Sequence, residues 1–572
     1  MLKFVATYPE GGDTVSQEWF TRHQALLEEA VRAIHMRGYW TPFPEMPSPK
    51  IYGENAMAEG KAAALAYHDR EFPLQDQGTP ERWVATERSP YGVELTPKYP
   101  VFAVETLVRQ AENAMPAWQR LGPEGRVGVL LEALVRLNRR SMEMAHAVMF
   151  TTGQGWMMAF QAGGPHAQDR GLEAVAYAWD EMSRIPKAAV WEKPQGKNPP
   201  IKMEKRYEIV GRGVGVVIGC GTFPTWNTYP GLFAALATGN PVIVKPHSNA
   251  VLPAAITVRV LRDVLTEAGC DPNVVQLAVF DDRQATQQLV QHPAVKSIDF
   301  TGGCAFGQWL IDNCRQAQVY AELAGVNTVV IESTDDYAGL LKNLAFTLSL
   351  YSGQMCTTTQ AILVPAQGVQ TPDGVKPYET VVADLAAAID AFLSDPRVAF
   401  AVLGAVQSDE TMARIDAANR GDFGAVALAS KALTHPEYPN ARVQTPVLIT
   451  CDENDEAAYL EERFGPIAFV VRCADRDAAL ARAERIVREH GALTLGCYSI
   501  DPAYQERMVD ASLRAGVALS FNLTDGVYVN QSAAFSDYHG TGLNPAANAS
   551  YCDAAFVARR FAVVQRRWHV KE

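Results

Sequence analysis

GVGVVIGCGTFPTWNTYPGLFAALATGNPVIVKPHS, residues 213–248, is the stretch on which the fold turns. Two short apolar runs, 214–218 and 241–244, bracket it, and neither alternates with polar residues. Runs of that kind are the mark of strands buried on both faces of a parallel sheet. Further apolar runs follow at 274–279, 297–300 and 328–331, separated by helical patterns such as 254–268 and 307–314. The expected class is α/β, built from β-α-β units.

Reading outward, the rest of the chain divides into recognisable parts. Residues 16–36 repeat Trp19, Phe20, Leu26, Leu27, Ala30, Val31 and Ile34 at helical spacing, and Gly38 ends the pattern. From Pro42 to Pro100 proline is too dense for long elements. Trp40, Phe43, Tyr52, Phe72 and Trp83 lie in or beside that stretch, so residues 1–100 read as a wrapping arm with aromatic anchors. Residues 102–185 are helical in pattern, with Val127, Leu130, Leu131, Leu134 and Leu137 on one face. After residue 335 a second α/β section has strands near 361–364 and 467–471 and helices near 337–350 and 380–393. The basic tail offers a last strand.

Composition sets outer limits. The 572 residues exceed the roughly 250–300 at which a single core stops growing, so at least two domains are expected. With 48% hydrophobic and 20% charged residues the chain is ordinary globular protein. A net charge of 51 − 64 = −13 opposes general binding to nucleic acid or anionic lipid. No apolar run reaches membrane-span length, and the first residues show no signal-peptide core. Nine scattered cysteines without a C-x-x-C pair point to reduced thiols and a cytoplasmic protein. No H-x-x-x-H or Cys/His cluster supports a zinc site, so no metal is expected.

Four local patterns carry chemistry. Lys245 closes the apolar run 241–244, where nucleotides lie in open parallel sheets. Gly302, Gly303 and Gly307 stand in DFTGGCAFGQWL, between a strand and a helix, where backbone approaches phosphate. Glu322 stands in VYAELAG, and burial there is expected to raise its pKa and make it a base near neutral pH. Cys356 stands in YSGQMCTTTQ among small and hydroxyl residues, as a nucleophilic cysteine does. Taken singly, each has an ordinary reading: a snorkelling lysine, a tight turn, a paired carboxylate, a structural thiol.

Taken in order, the four resemble the aldehyde dehydrogenase superfamily. The interval 356 − 322 = 34 is the family's spacing between general base and nucleophile, and EERFGPIAFV resembles its E-x-F-G-P segment. The resemblance covers about residues 105–560. It implies a parallel-sheet dinucleotide-binding domain (101–192 and 212–322), an α/β catalytic domain (323–540) and a small β oligomerisation ribbon (193–211 and 555–572). It implies that Cys356 attacks an aldehyde and that Glu322 activates the water releasing the acid. Glu462 would hold the nicotinamide ribose, with Phe464 beside the nicotinamide. The arm and the wording of residues 219–248 resemble the PaaN-type branch linked to phenylacetic acid degradation.

Two departures from the family pattern stand out. Where the family has an oxyanion-hole asparagine, this chain has Thr222. Its other expected role is to cap a helix opening at Phe223-Pro224. Asn227 is expected in the substrate tunnel with Phe223 and Trp226, since five helical residues turn its side chain by roughly 140° from Thr222. Three residues after Lys245, where NAD-specific relatives commonly carry an acid, stands Ser248, which favours NADP over NAD. The expected reaction is NAD(P)-dependent oxidation of an aldehyde to a carboxylic acid by a homodimer or homotetramer. The alternatives are a CoA-acylating dehydrogenase, against which Glu322 argues, and a catalytically silent scaffold of the same fold.

Overall fold

The computed structural model describes residues 15–529 and 534–570. Residues 1–14 of the expected arm and 571–572 of the expected tail lie outside these. The opening stretch forms what its pattern predicts. Val214–Ile218 is the middle of a five-stranded sheet ordered Val275–Leu277, Val242–Lys245, Val214–Ile218, Val295–Thr301, Gln318–Glu322. Every pairing is parallel. Side chains alternate between its two faces: Val217 packs with Leu232, Leu252 and Leu261, while Val216 and Ile218 pack with Leu107 and Leu310. Both faces are therefore dry, which is why these runs show no polar alternation. The chain leaves the middle strand in one direction and returns on its other side. The reversal opens a crevice at the carboxyl ends of Val214–Ile218 and Val295–Thr301.

A seven-stranded sheet follows, ordered Ala425–Leu428, Val447–Asp452, Ile467–Cys473, Ala361–Pro365, Thr328–Ile331, Thr494–Tyr498, Ala518–Phe521. All pairings are parallel except that of the Ala425–Leu428 edge.

The third sheet differs from the expected ribbon. It has three antiparallel strands, Phe561–His569, Asn198–Gly211 and Ala188–Gln195. The segment beginning at 193 in the sequence reading is the end of one strand and the start of another. Gly196, at φ 61°, makes the hairpin turn between them. The ribbon is rooted in the first sheet. Asn240 Oδ1 accepts from the backbone of Arg212 and Gly213 at 2.7 and 3.2 Å, and Asn240 Nδ2 donates to the Arg560 carbonyl at 2.9 Å. Arg560 itself forms a buried two-pronged pair with Asp299.

The arm is more regular than its prolines imply. The proline-free stretch between Pro49 and Pro73 holds the helix Ala56–Leu65. The expected helix 16–36 is two, Val15–Arg22 and Gln24–Met36, broken at His23, whose Nε2 lies 2.7 Å from Glu132 Oε2. Phe43 and Phe72 are buried anchors, and Trp40 packs edge-on against Phe535 at 4.8 Å. The helix placed at Phe223-Pro224 opens instead at Thr228, after a run of turns, so Thr222 does not cap it.

Candidate active site

Glu322 is the last residue of Gln318–Glu322, at the carboxyl end of the sheet, and is 1% exposed. Cys356 lies in a turn between the short 3-10 helix Leu350–Gly353 and the strand Ala361–Pro365. The turn is entered through Tyr351 and Ser352 in left-handed conformation, at φ 52° and 48°. Such strain persists only where surroundings hold it. Here the Tyr351 hydroxyl donates to the Thr152 carbonyl at 2.6 Å and Ser352 Oγ to the Gly404 carbonyl at 2.9 Å. Gly353 cannot carry a side chain, because a Cβ would stand 2.3 Å from the Gly465 carbonyl oxygen.

Asn327 fixes the far side of the turn. Its Nδ2 donates to the carbonyls of Cys356 and Thr358 at 2.7 and 3.1 Å, while its Oδ1 accepts from the backbone of Leu493 and Thr494. Gln360 ties the same turn to the segment carrying Glu462 and Phe464. It donates to the Glu461 carbonyl at 2.9 Å and accepts from the Arg463 N–H at 2.6 Å.

Cys356 Sγ, a Glu322 carboxylate oxygen and a His539 ring nitrogen all lie within 4.8 Å of one another. His539 Nε2 is 3.1 Å from Glu322 Oε2, and Asn227 Nδ2 donates to that same oxygen at 3.1 Å. Glu322 Oε1 is buried without a hydrogen-bond partner, while Oε2 carries the contacts to His539 and Asn227.

The electrostatics overturn one expectation. Burial alone pushes the Glu322 carboxyl up, but the His539 ring beside it holds it below the ordinary carboxylate range. Burial, and then Glu322, push the Cys356 thiol well up. The resting site therefore holds a neutral thiol beside an ionised carboxylate.

Asn227, expected in the substrate tunnel, has its amide engaged by Glu322. Phe223 and Trp226 do form an aromatic wall: Phe223 meets Tyr351 edge-on at 5.7 Å, and Trp226 meets His539 at 4.7 Å and Arg170 at 4.6 Å. The backbone of Thr222 is fixed by Gln154 Nε2, which donates to its carbonyl at 2.7 Å. Its hydroxyl has Cys220 Sγ as a neighbour at 4.0 Å. His539, Asn327 and Gln360 were not among the residues singled out in the sequence. His539 lies 217 positions from Glu322, in a loop with no periodic pattern, so no spacing signals it.

Lys245, Gly302 and Gly303 stand at or just beyond the carboxyl ends of strands of the first sheet. Lys245 ends its strand half-buried, burial lowers its pKa, and among the described residues no carboxylate pairs with it. A Cβ at Gly302 would press on the Phe300 ring at 2.8 Å, and one at Gly307 on the end of the Leu323 side chain at 2.1 Å. A Cβ at Gly303 would meet nothing within 4 Å, so backbone opens to the crevice there. Gly303 immediately precedes the helix Cys304–Asn313, whose N-terminus favours an anion. Burial raises Glu462 to about 7. Ser248 is exposed and its carbonyl accepts from Thr86 Oγ1 at 2.6 Å. An unpaired half-buried cation, open glycine backbone and a helix N-terminus together fit a dinucleotide.

The fold has counterparts among solved structures. An NAD-dependent aldehyde dehydrogenase from Burkholderia multivorans is 54% identical, covering 97% of this chain and 99% of that one, with a TM-score of 0.95. A 1-pyrroline-5-carboxylate dehydrogenase from Thermus, solved with bound NAD, is 19% identical over 93% of this chain and 99% of that one, with a TM-score of 0.71, and shares the fold. The 1-pyrroline-5-carboxylate dehydrogenase of Bacillus subtilis is 25% identical over 333 residues, 55% of this chain and 61% of that relative. The model of the aldehyde dehydrogenase family matches residues 96–550, a span that contains both large sheets, Glu322 and the turn carrying Cys356, and the chain belongs to that family.

Proposed function

We propose that the protein oxidises an aldehyde to a carboxylic acid with NAD(P), through a covalent adduct on Cys356. The observation that carries this reading is the meeting of the Cys356 thiol with the Glu322 carboxylate within 4.8 Å, beside a crevice suited to a dinucleotide. Lys245, the Gly302–Gly303 backbone and Glu462 would hold the cofactor. When bound, its nicotinamide supplies the hydride acceptor that turns the adduct into a thioester.

The proton movements fall in two steps. Because the resting thiol is neutral, Sγ becomes nucleophilic as its proton is given up to solvent during attack on the carbonyl carbon, and the Glu322 carboxylate stays ionised for the later step. The Cys356 backbone N–H and the Thr222 hydroxyl are the donors proposed for the oxyanion. Glu322 Oε1, without a protein partner, then takes a proton from the water that attacks the thioester. Asn227 holds the other oxygen and so keeps the carboxylate presented. A retained Glu322 favours water over CoA as the acyl acceptor.

Ser248 supplies no carboxylate to repel a 2′-phosphate, which supports use of NADP in preference to NAD. The aromatic wall of Phe223, Trp226 and Tyr351 suits an aromatic or otherwise bulky aldehyde, and we assign the protein to aromatic catabolism of the phenylacetate type. The exposed ribbon is the proposed assembly surface of a homodimer or homotetramer.

The test is a screen of aliphatic, aromatic and CoA-linked aldehydes with both cofactors, on the wild type and on Cys356→Ala. Reduced cofactor and free acid from the wild type, with none from Cys356→Ala, are expected. Turnover by Cys356→Ala would overturn the covalent route, and an acyl-CoA product would favour the CoA-acylating reaction.

A further inference from the structure

We propose that Cys356, Glu322 and His539 form a binding site for a thiophilic divalent cation, Zn²⁺ above all, which holds the enzyme in a reversibly silent state. The three side chains come from three distant parts of the chain. They bring a thiol, a carboxylate and an imidazole to within 4.8 Å of one another. Thiolate sulfur, imidazole nitrogen and carboxylate oxygen are all donors that zinc takes, at about 2.0–2.3 Å from the metal. Those bond lengths set neighbouring donors about 3.3–3.8 Å apart around a tetrahedron. Glu322 Oε2 and His539 Nε2 are already 3.1 Å apart.

Two features separate this trio from an ordinary ion pair. Glu322 Oε1 is a buried atom without a hydrogen-bond partner, and buried polar atoms are seldom left so. Glu322 is also almost wholly buried, at 2% side-chain exposure, and His539 is at 13%. A carboxylate in that setting gains from a cation that reaches both its free oxygen and the imidazole. The fourth position is left to water, as in open zinc sites.

Binding forms a Zn–S bond as the Cys356 S–H bond breaks and its proton passes to solvent. No electron is transferred, and a chelator reverses the step. The lone pair that would attack an aldehyde is then held by the metal, and the carboxylate that would take a proton is held with it. That consequence rests on the reaction proposed above, whereas the metal site itself does not.

The experiment titrates the full-length reduced protein with Co²⁺ and then with Zn²⁺, following absorption rather than turnover. Expected are one Co²⁺ per chain, a thiolate-to-cobalt charge-transfer band with strong visible bands of a four-coordinate ion, and their loss on adding Zn²⁺. Cys356→Ser should remove the charge-transfer band, and His539→Phe should weaken binding at least tenfold. His539→Gln provides the same measurement should the phenylalanine variant fail to fold. Independently, Zn²⁺ should protect Cys356 of the wild type from alkylation, read peptide by peptide, until EDTA is added. The site is refuted by a wild type without the charge-transfer band, by a band undiminished in Cys356→Ser, by unchanged affinity in a folded His539 variant, or by unprotected Cys356.

Discussion

Glu87, on the arm, caps a helix of the dinucleotide-binding sheet: its Oε1 accepts the Leu252 N–H at 2.8 Å and that of Val251 at 2.6 Å. The helix is Leu252–Glu267, which opens just beyond the Lys245–Ser248 edge of the crevice. The Tyr99 hydroxyl donates to the other oxygen at 2.5 Å. Through this contact the arm is part of the cofactor domain's framework.

A pH dependence of stability follows. Burial raises Glu87 from 4.5 to about 7. The folded state then binds this proton more tightly than the unfolded state. The contribution is full below about pH 4.5 and is lost as pH rises towards 7, of order 3 kcal/mol at about 1.4 kcal/mol per unit. Glu87→Gln keeps the acceptor but removes the titration. Melting temperature against pH should lose that slope, and a variant curve parallel to the wild type would refute the assignment.

His539→Phe should move the acid limb of activity upward. His539 holds Glu322 below the ordinary range against burial, with Arg170 acting in the same direction. Without the imidazole, burial dominates and Glu322 protonates at higher pH, so kcat should fall earlier as pH is lowered. The groups around this carboxylate include Cys356, Arg170 and Tyr551, and all three remain in the variant. An unmoved acid limb with normal folding would show that His539 does not set the charge of Glu322.

Glu322→Gln should stall the reaction after oxidation. The amide cannot take a proton from water, so a thioester on Cys356 should accumulate. Stopped-flow should show a burst of reduced cofactor followed by slow turnover. Equal loss of burst and steady rate would mean that the carboxylate is needed earlier, to take the thiol proton.

Thr222→Val tests the proposed oxyanion donor. A donor used only in the transition state should lower kcat by roughly 10²–10³ with little change in KM. The helix opens at Thr228, so melting temperature should hardly change. An unchanged kcat would remove Thr222 from the oxyanion site.

The ribbon should mediate assembly. Val190, Val564 and Trp568 are exposed on its three-stranded sheet, and Ala188–Gln195 is an unpaired edge. Light scattering at micromolar concentration should give a dimer or tetramer mass. Val190→Lys with Val564→Lys should shift it towards monomer. A wild-type monomer would count against this role.

The strands Val214–Ile218 and Thr328–Ile331 are legible to the residue, because burial on both faces leaves an unbroken apolar run with turn residues at each end. Cys356 and Glu322 are legible through their order and spacing. The Gln195–Asn198 hairpin is not, since its residues are exposed and carry no burial pattern. His539 and Asn327 act through contacts between segments far apart in the chain, which no local period encodes. The depressed pKa of Glu322 is hidden for the same reason: local sequence announces the burial but not the histidine that outweighs it.

Asn327 links the turn carrying Cys356 to the backbone at Leu493 and Thr494, so the sulfur is suspended from the neighbouring strand as well as from its own loop. For anyone breeding this scaffold towards new aldehydes, positions fall into two kinds. Changes to Phe223 and Trp226 reshape the aromatic wall while the sulfur keeps its station, whereas Tyr351 also holds the turn that carries it. Changes around residues 493–494 detune the sulfur for every aldehyde alike, and a library that mixes the two kinds would confound altered selectivity with lost reactivity.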